Sequence, residues 1–487
     1  MTTPGTEREP AATQVPEATA KNAPASTGLG AFTGDAGVTT LGGAARAYVS
    51  KVRGGDPGAL PAVLGLIVLL VIFSNMSKIF LTTGNLANVP AQAAPIILIA
   101  MGLVFVLLLG EIDLSAGTAA GVCATMMALV LTKGGDLHKA LGGGMYGAVI
   151  VVMVLALAIA VWMRIWPAAL MVALGLIIVC TQLGQHVWIG MFLCICVGTA
   201  IGLLTGFLRH PVGIPSFVVT LALFLAWQGL IIQFEGQGNA IAVRQYYPVY
   251  ALAHQNVTPV LGWIMLVVFV GGYGVVTFLR SIRRRAQGLS AEPLAVVGVR
   301  FLALAVIGTF ATYFLNTNRQ TNPKASALEG MPWVVPVILV LLVALTLLLT
   351  KTRYGQHLYA VGGNAEAARR AGIDVGRMRV TAFTMCTTLS AVGGLALASY
   401  NGGVPSDIGG GNTLLFAVGA AVVGGTSLFG GRGRIRDAVL GGLVIQLIPN
   451  GLGLKINLGP AYTYVVTGAF LLIAAAVDAS ARRRQQA

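Results

Sequence analysis

The sequence predicts an all-α polytopic membrane protein with about 14 transmembrane helices (about 12 if short runs re-enter or merge) and both termini cytoplasmic. Three observations predict it. The first is composition: of 487 residues 56% are hydrophobic and only 10% charged, against roughly 25% charged in a soluble domain. So little charge cannot cover a water-facing surface. The mean hydropathy of +0.83 and the 64 glycines suit lipid, since glycine is commoner in membrane helices than in soluble ones. The second is the succession of apolar runs, and the third is the distribution of bases between them.

Residues 1–59 are rich in Ala, Pro, Thr and Gly. They carry too little apolar surface to offset the entropy of ordering, so they are expected to be a disordered cytoplasmic tail. Five bases there cancel five acids, which leaves the whole +15 to the remainder. No basic segment followed by a short apolar core and a small-residue cleavage site stands near Met1, so no secretory signal is read. The run from Leu60 is expected to remain as a span.

A span needs about 20 mostly apolar residues. Such runs occur at 60–77, 91–110, 115–132, 144–163, 166–182, 187–208, 214–234, 257–280, 301–316, 332–350, 380–400, 413–430, 437–453 and 461–479, which makes 60–480 the transmembrane domain. A basic cytoplasmic tail, 481–487, follows. With the N-terminus inside, strict alternation puts twenty-two Lys and Arg beside the inner ends of the spans and seven beside the outer ends, as the positive-inside rule requires. The basic balance is therefore a topology signal and not a nucleic-acid footprint. Trp162, Trp166, Trp188, Trp263 and Trp333 lie at run ends, where an amphipathic ring suits the headgroup layer; Trp227 lies well inside its run.

What the runs lack bounds the function. None of the 16 acids falls in the middle of a span, whereas ion-coupled transporters carry intramembrane carboxylates or His relays. Sodium can also be held by unwound backbone carbonyls, so an ion-coupled sugar transporter stays open as the alternative. No Gly-Lys dipeptide occurs, so there is no P-loop. The five cysteines (Cys123, Cys180, Cys194, Cys196, Cys386) fall in apolar runs and read as packing residues. The five histidines show no zinc spacing. A membrane enzyme would need a pair of acids or a Cys/His group placed for chemistry, and none stands out.

Three constellations carry information. Gly110-Glu111-Ile112-Asp113-Leu114-Ser115-Ala116-Gly117 interrupts an apolar stretch. Gly110 can end one helix, and Asp113 or Ser115 can cap the next. This is either a capped tight turn or a broken helix whose polar break, with Glu111, Asp113 and Ser115, lines a pathway. Residues 351–379 form the longest charged inside loop after the tail. Within it Asn364 reads as an N-cap and Glu366 sits in the first turn. Arg369 and Arg370 sit in the last, Glu366 and Arg370 pair at i,i+4, and Gly372 suits a left-handed end. That short helix is either a docking element for a soluble partner or a basic loop that only fixes topology. The third is the glycine-dense stretch 421–434, where close helix packing and a flexible inside turn are expected. The glycines Gly198, Gly202 and Gly206 make one small-residue stripe. In the span 214–234, Trp227 and Gln228 can stack on and hydrogen-bond a sugar, or Trp227 can simply be packing.

Four segments, GEIDLSAG (110–117), IPSFVVTLALFLAWQGL (214–230), YGQHLYAVGGNAEAARRAGIDV (354–375) and AVVGGTSLFGGRGRI (421–435), occur in this order. Together they resemble the permease subunits of bacterial sugar ABC importers of the ribose/xylose/arabinose/galactose group, D-xylose permeases above all. Residues 134–188 and 302–331 depart from the short members of that group. The resemblance implies a homodimeric pore in the cell membrane, an ABC ATPase subunit that carries ATP and Mg, and an extracytoplasmic sugar-binding protein. No cofactor is implied on this chain itself. It implies, further, that Gly363, Asn364, Glu366, Ala367, Ala368, Arg369, Arg370, Gly372 and Ile373 form the coupling helix seated on the ATPase.

Overall fold

The computed structural model describes residues 41–53, 58, 60–236, 240–289, 291–320, 327–455 and 460–486. Most of the expected disordered tail, 1–40 above all, lies outside the described residues; within it Leu41–Arg53 forms helix α1. The protein is almost entirely helical, as its composition requires.

Thirteen of the fourteen apolar runs fall on one helix each, and 257–280 falls on two. The helices are α2 (Leu60–Met76), α3 (Thr83–Leu108), α4 (Ala116–Thr132), α5 (Leu137–Trp162), α6 (Trp166–Cys180), α7 (Val187–Arg209) and α8 (Ser216–Glu235). The short helix α9 (Tyr247–His254) follows. Then come α10 (Pro259–Leu266) and α11 (Gly272–Ala286), joined through a π-helical turn into one rod, and α12 (Leu294–Asn316) and α13 (Val334–Lys351). The charged loop 351–379 folds in part as α14 (Arg353–Gly363) and α15 (Ala365–Arg370). The chain ends with α16 (Val375–Asn401), α17 (Asn412–Gly424), α18 (Ile435–Gly453) and α19 (Pro460–Gln486). Among the described residues eight helices are long and apolar enough to cross a membrane, and five shorter apolar ones accompany them.

Several boundaries differ for identifiable reasons. α3 starts at Thr83, not 91, because Thr82 caps it by accepting the Asn85 N–H and because Pro90 and Pro95 are carried inside the helix. Neighbouring helices make such prolines tolerable in a membrane. The run at 144 begins just after Gly142, whose φ of 74° kinks α5. The run 413–430 is not one full span. α17 has 13 residues, about 20 Å of helix, and Gly425 ends it in the left-handed region at φ 118°. The chain before it returns into the fold: Gly402 lies against Arg244, and Gly409 lies against the backbone of Gly117 and Gly121 near the start of α4. α19 runs to Gln486, so the backbone of the basic stretch with Arg482, Arg483 and Arg484 continues this helix.

The core is built on α3, which is buried over nearly its whole length among α16, α17 and α18, while α4 and α7 pack against α16. Small residues permit this. A Cβ on Gly202 would sit 2.7 Å from the Phe383 carbonyl, and one on Gly394 would sit 2.2 Å from the Ala120 carbonyl, so α7–α16 and α4–α16 pack backbone to backbone. The stripe Gly198, Gly202, Gly206 all faces α16. Helices α5, α10–α11 and α12 lie outside this core with largely exposed apolar surfaces, which fits a lipid-facing position. Cys123, Cys194, Cys196 and Cys386 are buried packing residues; Cys180, at the end of α6, is exposed instead. The tryptophans at run ends are all exposed.

Candidate functional site

Three stretches that are far apart in the chain meet at one end of the core. The first is the break between α3 and α4. Gly110, at φ 70°, donates its N–H to Leu107 and Glu111 donates to Val106, which closes α3. Asp113 Oδ1 then accepts the N–H of Ser115 at 2.9 Å and its hydroxyl at 2.7 Å. Of the two caps that the sequence offered, Asp113 is therefore the acceptor and Ser115 the donor. Both are fully buried, and the Cys386 thiol of α16 lies beside the Asp113 carboxylate.

Glu111 is engaged by two arginines. Arg209, the last residue of α7, donates Nε to Oε2 at 2.9 Å and Nη2 to Oε1 at 2.7 Å. Arg379, in the first turns of α16, brings Nε to 3.1 Å from Oε1. The Glu111 side chain is 7% exposed. A bidentate guanidinium is the strong geometry for a carboxylate, and a charge so desolvated is held only by such pairing.

The second stretch is α14–α15. Asn364 is the N-cap, its Oδ1 accepting the N–H groups of Glu366 (3.1 Å) and Ala367 (3.0 Å). Glu366 pairs with both Arg369 (3.1 Å) and Arg370 (3.3 Å). Gly372 follows at φ 82°. Gly363, Asn364, Glu366, Ala367, Arg369, Arg370 and Gly372 are exposed. Ala368 points inward and is buried with Val361, Val375 and Met378; Leu109, Ala365 and Ile373 pack against that cluster. The helix thus presents a polar, capped outer face while one alanine seats it in a cluster that the residue before the break also joins.

The third stretch is the turn after α17. Thr426 donates its N–H to Ala421 (3.0 Å), Ser427 to Arg432 (2.9 Å) and Gly431 to Leu108 (2.8 Å). The Tyr359 hydroxyl donates to the Gly433 carbonyl at 2.7 Å. The turn expected to be flexible is therefore pinned on both sides, because its glycines let its backbone reach α3 and α14. Burial pushes the phenols of Tyr354 and Tyr359 up to about 12.

Trp227 and Gln228 lie elsewhere. Gln228 donates to the Ser406 carbonyl at 2.7 Å, in the segment that leads into α17. The Trp227 ring packs against the cluster around α4 and α7, and its buried Nε1 makes no hydrogen bond. Two turns earlier in α8, Thr220 reaches the Ile112 carbonyl at 3.4 Å, so α8 bridges the two irregular segments. Among the described residues no group of three or more His, Cys, Asp or Glu is placed to hold a metal ion.

Sequence reasoning assembled α15 and its cap correctly. It did not find Arg209, Arg379 or Tyr359 as partners. The signal for the arginines was present, since alternation places both on the same inner side as Glu111.

Residues 166–475 match the model of a family described as "branched-chain amino acid transport system / permease component". The xylose transport system permease protein XylH of Escherichia coli (strain K12) is 30% identical over 431 residues, 87% of this chain and 92% of that protein. Its counterpart in Haemophilus influenzae is 30% identical over 429 residues, 87% and 96% of the two chains. The D-allose transport system permease protein AlsC of Escherichia coli is 25% identical over 416 residues, 85% and 89%. No solved structure matches the chain. With a match over most of its length and an almost entirely helical, multi-pass architecture, the chain belongs to this permease family, among the sugar ABC permeases of the cell membrane.

Proposed function

We propose that this chain is the translocation subunit of an importer that moves a monosaccharide, D-xylose or another pentose, inward with energy from ATP hydrolysed on a separate subunit. The observation that carries the reading is α15: a capped helix with an exposed polar face, seated through Ala368 in the small cluster on which Leu109, next to the break, also packs. Such an element gives a soluble partner a rigid handle on the membrane core. Gly363–Ile373 is the coupling segment in this reading, and Gly372 ends its helix. The partners are an ABC ATPase that holds ATP and Mg, an extracytoplasmic sugar-binding protein and a second copy of the chain. The chain itself is not an enzyme. The sugar is suggested by the relatives named for xylose and allose. Trp227, Gln228, Asp113 and Ser115 are the candidates for contact with the pathway.

The experiment is co-purification of the ATPase with wild type, Glu366→Arg and Gly372→Pro chains, alongside uptake of labelled D-xylose. Both variants should insert normally, lose ATPase and lose uptake. Normal recruitment and uptake in both would contradict the coupling role.

A further inference from the structure

We infer that Glu111 is a positioning residue of the transport cycle, clamping the α3–α4 break to α7 through Arg209 and to the base of α16 through Arg379, with Arg379 as the arm that lets go. The inference rests on the reading of α15 as the coupling helix.

The geometry separates the two arms. Arg209 grips both carboxylate oxygens, at 2.9 and 2.7 Å. Arg379 reaches one oxygen only, already shared with Arg209, at 3.1 Å. A fork-to-fork pair fixes orientation, whereas a single approach to a shared oxygen does not. If the elements part, Glu111 stays with α7 and its charge remains compensated.

The placement of Arg379 gives that asymmetry a use. After α15 the chain passes through Ile373 into α16, whose first turn is capped by Asp374, with Arg377 N–H donating to Asp374 Oδ1 at 2.9 Å. Val375 and Met378 share one cluster with Ala368 of α15. A push on α15 therefore moves the base of α16 as one body, and Arg379 moves with it. Leu109, two residues before Glu111, packs on the same cluster. On the far side of Glu111, Asp113 caps the start of α4 through Ser115. The clamp thus connects α15 with the break at the foot of a core helix, and in this inference the Arg379 arm is the contact that is made in one state and released in the other.

A structural ion pair that merely holds the fold makes different predictions. The test uses Arg379→Gln, which leaves the Glu111–Arg209 pair intact, and Arg379→Lys, which keeps the charge. In proteoliposomes with the ATPase and the binding protein, sugar moved per ATP should fall about five- to tenfold in Arg379→Gln and largely recover in Arg379→Lys. The melting temperature should be unchanged in both. Separately, the chain reconstituted alone, with its other four cysteines replaced by Ala, reports on the break through Cys386. Its labelling by N-ethylmaleimide should quicken about tenfold in Arg379→Gln and not in Arg379→Lys. Wild-type labelling in Arg379→Gln, or a wild-type transport ratio, overturns the clamp. A wild-type chain that recruits no ATPase overturns the coupling reading instead, and the labelling still decides the clamp.

Discussion

The N–H of Gly431 donates to the carbonyl of Leu108 at 2.8 Å, so the glycine-rich turn after α17 closes the end of α3. Gly362 of α14 fills the remaining space: a Cβ there would lie 1.9 Å from the same carbonyl and 3.1 Å from the Gly431 nitrogen. Gly362→Ala must push α14 away from α3. Overpacking of this kind costs about 1–3 kcal/mol. The melting temperature should fall by several degrees and sugar uptake should fall with it. The exposed Gly363, one residue on, has nothing within 4 Å of its Cβ position, so Gly363→Ala is the matched control and should melt like wild type. Equal melting of both variants would contradict the close approach.

The cap on α15 can be removed without touching the core. Asn364→Ala deletes both acceptor contacts and should cost about 1 kcal/mol. A helix of six residues has little else to hold it, so amide exchange over 365–370 should accelerate while the rest of the chain stays protected. Asn364→Asp should restore protection. Unchanged exchange in Asn364→Ala would mean that the helix is held by its alanine contact alone.

Tyr359 supplies a pH test. Its phenol is pushed up to about 12, first by burial, with nearby Arg434 pulling it down and Asp437 adding to the rise. In the unfolded chain a phenol titrates near 10. The folded value is the higher one, so this stabilisation is fully present below about pH 10 and is lost as pH rises towards 12. Tyr359→Phe should lose the hydrogen bond to Gly433, about 1 kcal/mol, and should melt with a shallower alkaline decline than wild type. A parallel decline in both proteins would show that Tyr359 does not carry it.

The helices were legible because membrane burial writes itself into long apolar runs, and α15 was legible because its cap, dipole charges and left-handed end are all local in sequence. The rest depended on tertiary contact. The stretch 413–430 reads as one apolar run, yet Gly425 ends α17 early and the remaining glycines let the turn dock on Leu108. Hydropathy cannot register a helix stop made of apolar-neutral glycine. Glu111 reads as part of either a capped turn or a polar break facing a path; its two arginines lie 98 and 268 residues away in sequence and are brought to it only by packing of α16 on α3 and of α7 on α16. Trp227 offered a sugar-stacking ring, and the structure gives its ring packing neighbours and its Nε1 no bond.

The central claim is that energy enters from a partner ATPase through α15. It is tested most directly by uptake of labelled D-xylose into cells that carry this chain, the binding protein and an ATPase subunit whose P-loop lysine is replaced. The account predicts that uptake stops while the proton and sodium gradients are intact, and that with the unaltered ATPase it survives an ionophore as long as ATP is maintained. Uptake that persists without a working ATPase and collapses with the ionophore would contradict it and make the chain an ion-coupled transporter.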